Sequence, residues 1–131
     1  MTDSRVPVVT PRGRLYGRDC IFLDLKTEDS TRKILTLEGE FNGNLCEISA
    51  PGQWIQYKIQ FYDVAALRVE DLDLTKWDWD SSFDEIFDSA WAAELQLQSK
   101  SRLRYFTFQT YDDLFNIVCG GYRLLVSESG V

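Results

Sequence analysis

Apolar and polar residues alternate most regularly between Ile55 and Tyr62. Ile55, Tyr57, Ile59 and Phe61 occupy one parity, and Gln56, Lys58 and Gln60 the other. Successive side chains of a strand point to opposite faces, so this period of two predicts an antiparallel strand with one face in the core. A parallel strand covered on both sides reads as a continuous apolar run instead. Residues 20–26 (CIFLDLK) predict an earlier strand with Ile21, Leu23 and Leu25 inward, and 27–31 a polar turn. Residues 33–41 (KILTLEGEF) alternate through Leu35, Leu37 and Phe41 and run into Asn42-Gly43. Asn-Gly suits the two positive-φ positions of a tight hairpin, so residues 44–49 are expected to return beside this strand. Pro51-Gly52 marks the next turn, and 64–69 either extends the sheet or leaves it.

After Ser81-Ser82 the period changes. Phe83, Phe87, Ala90, Trp91 and Leu95 recur at three- and four-residue spacing and predict an apolar helix stripe. Ser82 with Glu85 fits a capping box, and Asp84, Glu85 and Asp88 then lie in the first turns, where the helix dipole favours acids. Residues 102–110 return to strand composition. Tyr111-Asp112-Asp113 reads as a turn or a helix start, and 114–119 and 122–126 flank Gly120-Gly121 as a terminal hairpin. Trp54 and Trp91 are core candidates by their place in strand and helix. The elements sum to an α+β domain: mainly antiparallel sheet, seven or eight short strands in meander and hairpin connections, with one amphipathic helix packed on it. Pro7 and Pro11 among polar residues assign 1–14 to a flexible N-terminal arm and 15–131 to a single globular domain.

Composition sharpens this picture. A chain of 131 residues with 44% hydrophobic content builds one packed core and excludes global disorder. No apolar run approaches the ~20 residues that cross a bilayer, and Met1 to Pro11 lacks the apolar centre of a secretory signal, so a cytoplasmic location is expected. Cys20, Cys46 and Cys119 are odd in number and far apart, which suits buried thiols better than a disulfide framework. The formal charge of −7 sits in one stretch: eight acids and only Lys76 lie between Glu70 and Asp88, and the remainder is balanced. This acidity argues against nucleic acid, which requires clustered Lys and Arg. The one basic cluster, Lys100, Arg102 and Arg104, follows the expected helix and complements its C-terminal end.

Histidine is absent, which removes the Ser-His-Asp and Cys-His arrangements and the commonest general base. Three dispersed cysteines do not make a structural zinc site, and no phosphate-binding glycine loop is present. Calcium loops beginning at Asp71 or Asp78 fail at the sixth and twelfth positions, where Lys76 and Ser82, or Phe83 and Ser89, replace glycine and glutamate. Asp71/Asp73, Asp78/Asp80 and Asp112-Asp113 are the available carboxylate pairs, and acids at such spacing chiefly face solvent or cap turns. No catalytic residue, cofactor or metal is expected.

The acidic stretch also carries Trp77, Trp79, Phe83 and Phe87. Aromatics dominate interface energies and acids steer association, so a surface of both fits a basic protein partner. The expected partner contacts are Asp71, Asp73, Trp77, Asp78, Trp79 and Asp80. From Trp54 onward the chain resembles small uncharacterised bacterial domains, among them immunity proteins of polymorphic toxin systems. The segments WIQYKIQFYDVAALRV and LRYFTFQTYDDLFNIVCGGYRLLV carry that resemblance. It implies a small, acidic, cytoplasmic, non-enzymatic protein that neutralises a toxin by binding it; with the charge and apolar-run readings above, neither nucleic acid nor membrane is an expected partner. Two other readings stand beside it. One is a small-ligand protein or enzyme with a cavity between sheet and helix, using Tyr57, Tyr105, Tyr111 and Asp112. The other is a homo-oligomeric structural subunit.

Overall fold

The computed structural model describes residues 4–74 and 80–127. In chain order, its strands are β1 (Ser4–Pro7), β2 (Ile21–Asp29), β3 (Ile34–Asn42), β4 (Trp54–Tyr62) and β5 (Ala66–Asp71). They continue with β6 (Phe83–Phe87), helix α1 (Ala90–Leu97), β7 (Arg104–Gln109), β8 (Asp113–Cys119) and β9 (Gly121–Val126). Two antiparallel sheets result, ordered β1-β6-β7-β8-β5 and β2-β3-β4-β9. The α+β class with one helix on antiparallel sheets is as expected, with nine strands among the described residues.

β4 shows why the sheets face each other. Ile55, Tyr57, Ile59 and Phe61 are buried, while Trp54, Gln56, Lys58 and Tyr62 are exposed. Phe61 meets Phe83, Phe106 and Phe108 of the opposite sheet, with ring centroids 6.0–6.3 Å apart. Each fully buried ring contributes about 1.5–3 kcal/mol from the area it removes from water. Helix α1 covers the outer side of the first sheet, where Trp91, Ala92 and Leu95 pack on Ile86, Tyr105 and Val118. Cys20, Cys46 and Cys119 are buried free thiols.

Several local expectations are overturned. Asn42-Gly43 makes no hairpin, since residues 43–45 form a 3-10 turn capped by Asn42, and β3 pairs with β4. A Cβ on Gly43 would lie 2.2 Å from the Ala50 carbonyl oxygen, so this glycine serves a close backbone approach. Residues 83–87 are a strand, because FDEIF also alternates and pairs with both β1 and β7. Pairing on two sides outweighs a local capping motif. Ser82 donates its hydroxyl to the Gly17 carbonyl at 2.5 Å, and Ser89 is the true cap, accepting from the Ala92 amide at 3.3 Å. The first turn of α1 therefore contains no acid.

The other corrections concern connections and parity. Gly120-Gly121 joins no hairpin: β8 and β9 belong to different sheets, and the Gly120 amide donates to the Tyr62 carbonyl at 2.9 Å. Within the expected N-terminal arm, residues 4–7 pair with β6. Leu25 is exposed because a bulge between Leu23 and Leu25 reverses the parity of β2. Tyr111 to Asp113 resolves as a turn, closed by the Thr110 amide donating to the Asp113 carbonyl at 2.8 Å.

Candidate functional site

The outward parity of β2 and β4 presents aromatic rings at one end of the second sheet. Trp54 is 50% exposed and Tyr111 42% exposed, with Phe22 half-buried between them. Phe22 meets Trp54 edge-on at 5.2 Å and stacks on Tyr111 at 5.2 Å with a 16° interplanar angle. Offset stacking and edge contacts are the favoured aromatic geometries, so the three rings form a supported ridge. Glu40 lies opposite Phe22 in the β2–β3 ladder, which adds an acid to its flank.

Backbone bonds fix the ridge to the acidic stretch. The Tyr111 amide donates to the Ile21 carbonyl at 2.8 Å, and the Leu72 amide to the Asp112 carbonyl at 2.9 Å. The turn after β7 is thus held between β2 and the 3-10 turn at Leu72–Leu74. Arg18 completes the junction. Its Nε donates to the Tyr111 carbonyl at 2.7 Å, its Nη2 contacts Asp73 Oδ1 at 2.8 Å, and its guanidinium carbon lies 5.2 Å from the Tyr111 ring centre. The hydrogen bond to Asp73 is the main reason the Arg18 pKa rises further.

The structure brings Asp71 and Asp73 together, and Asp80 joins the neighbouring loop through its backbone. Asp71 accepts from the Asp73 amide at 2.9 Å and faces Asp113 across the β5–β8 pair. Burial, then the charges of Asp112 and Asp71, raise the Asp113 pKa. The Asp80 carbonyl accepts from the Gly17 amide at 2.8 Å, so Asp73 and Asp80 bracket the loop around Gly17 and Arg18. Trp77, Asp78 and Trp79 lie outside the described residues. Other acids of the stretch serve the fold. Glu85 takes a two-pronged contact from Arg104 at 2.9 and 2.8 Å, and Glu70 pairs with Arg68 at 3.4 Å.

Arg18, Phe22, Trp54 and Tyr111 are additions to the expected surface. Parity already carried the signal for two of them. Trp54 shares its parity with Gln56 and Lys58, and Phe22 alternates with the inward Ile21 and Leu23. Nothing in the sequence marks the Arg18 contact, which spans distant segments. The tyrosines proposed for a ligand cavity do not converge. Tyr57 donates to the Phe22 carbonyl at 3.1 Å, Tyr105 donates to Asn116 Oδ1 at 2.7 Å, and Tyr111 is on the surface. Among the described residues, no three metal-capable side chains group together, and no helix is long and apolar enough to cross a membrane.

No family model, curated protein or solved structure matches the chain.

Proposed function

We propose that this protein is a non-catalytic protein-binding domain, an immunity-like inhibitor of a basic bacterial partner. The observation that carries the reading is the exposed Trp54–Phe22–Tyr111 ridge joined through Arg18 to Asp73. Rings of this size desolvate readily and are already held by their neighbours, so little side-chain entropy is lost on docking. Asp71, Asp73 and Asp80 supply the negative field that speeds encounter with Lys- and Arg-rich surfaces. The resemblance from Trp54 onward to small bacterial domains, some of them immunity proteins, points the same way.

The test is capture from the source cells with tagged wild type and a Trp54→Ala/Tyr111→Ala variant, read by quantitative mass spectrometry. The expected result is one basic protein at near-stoichiometric yield with wild type, strongly depleted with the variant. Equal recovery by both, or no stoichiometric basic partner, overturns the reading.

A further inference from the structure

A cavity of about 360 Å³ is lined by Arg5, Pro7, Arg14, Tyr16, Asp80, Ser81 and Asp84. This size falls within the ordinary range for small-ligand sites. Asp84 is the unusual member. Its side chain is fully buried, and neither carboxylate oxygen has a hydrogen-bond partner. Its nearest ion-pair contact, Arg5 Nε, stands 3.8 Å from Oδ2. The Thr107 hydroxyl, on the residue directly across the β6–β7 pair, also lacks a partner. The neighbouring Ser81 hydroxyl donates to the Phe83 carbonyl at 3.1 Å. Buried polar groups are nearly always paired, and an unpaired carboxylate at the edge of a cavity marks a site that awaits a donor.

We propose that this cavity binds a small zwitterion bearing an ammonium and a carboxylate, a free α-amino acid. The charges of its lining select that class. Two guanidiniums oppose a dication, and two carboxylates oppose a dianion. An uncharged molecule matches neither the carboxylates nor the guanidiniums of the lining, and the 3.8 Å contact from Arg5 leaves both Asp84 oxygens without a hydrogen bond. An ammonium brings three N–H donors and a positive charge to Asp84, with Asp80 as a second acid at the exposed rim. The exposed Arg14 guanidinium has no ion pair among the described residues and offers the planar fork that matches a carboxylate. Because Asp84 has no exposed surface, binding requires the Arg5 side chain, 23% exposed and 3.8 Å from Asp84, to move aside.

The experiment is an amide nitrogen–proton NMR titration of the full chain with glycine and L-alanine, using putrescine and succinate as charge controls. The amino acids should give saturable shifts centred on Arg5, Arg14, Ser81 and Asp84, with Kd tighter than about 10 mM. Both controls should bind at least tenfold more weakly. Arg14→Ala and Asp84→Asn should each weaken amino-acid binding at least tenfold. Arg14 is exposed, so its variant tests the site even if Asp84→Asn alters the sheet. Absence of saturable shifts with either amino acid, tighter binding of putrescine or succinate, or wild-type affinity in both variants overturns the proposal.

Discussion

Asp84 holds a carboxylate among strands, shut away from water, and that environment sets its titration. Burial pushes its pKa up to about 6, against the opposing pull of Ser81 and Arg5. The groups facing it are Arg5 on β1, Thr107 on β7, and Tyr16, Arg14, Asp80 and Ser81 around the cavity. The folded state therefore holds this proton more tightly than the unfolded chain does. The stabilising contribution is fully present at low pH and is lost as pH rises through about 6. Asp84→Asn removes that loss, so its urea midpoint should exceed wild type at pH 7.5 by the equivalent of about 2–3 kcal/mol, with the gap closing near pH 4. An equal gap at both pH values contradicts this account. Trp54 illustrates a different residue-scale lesson. Its place in the strand made it a core candidate, but it shares the outward parity of Gln56 and Lys58 and is exposed. Trp54→Ala should shift the urea midpoint by less than about 1 kcal/mol while sharply reducing partner capture, because half the ring already faces water.

Among elements, alternation was legible wherever one face is buried and no extra residue interrupts it. β4 meets both conditions. β2 fails the second: the bulge after Leu23 sends Leu25 outward, and no residue type in 20–26 announces it. The bulge has a definite requirement on the partner strand. A Cβ on Gly39 would fall 1.9 Å from the Phe22 carbonyl oxygen, which also accepts the Tyr57 hydroxyl. Gly39→Ala should therefore lower stability by several kcal/mol, on the order of 3, in chemical denaturation. A change below about 0.5 kcal/mol, the range of ordinary surface substitutions, shows that the strands can separate at no cost. The segment 83–97 was misread because FDEIF satisfies both periods, and the deciding partners, β1 and β7, are remote in sequence. Trp91 kept its helix but not full burial. It packs edge-on against Tyr105 at 5.2 Å and lies 4.8 Å under the Arg68 guanidinium. Trp91→Ala should cost about 2 kcal/mol, less than the 3–5 kcal/mol typical of a core tryptophan, as read by the urea midpoint.

At the scale of the whole molecule, two sheets share one aromatic core, and the loops at one end gather residues from five separate segments. Gly17–Arg18, Phe22, Trp54, Asp71–Asp73 and Tyr111–Asp113 meet there through the bonds described above. Charge concentration between Glu70 and Asp88 was plain in the sequence, but its division was not. Glu70 and Glu85 pair within the fold and Asp84 is buried, which leaves Asp71, Asp73, Asp80 and Asp88 as described acids on the surface, the last bonded by the Ser4 hydroxyl at 3.3 Å and away from the Arg18 junction. A field from so few exposed acids acts mainly on encounter and is screened over about 8–10 Å at ordinary salt. The decisive measurement is the association rate of the captured basic partner by stopped flow, at low and high salt, with wild type and Asp71→Asn/Asp73→Asn/Asp80→Asn. The account predicts a wild-type rate that falls at least tenfold with added salt, and a variant that is slow at low salt and nearly salt-independent. A wild-type rate indifferent both to salt and to the loss of these three charges contradicts it.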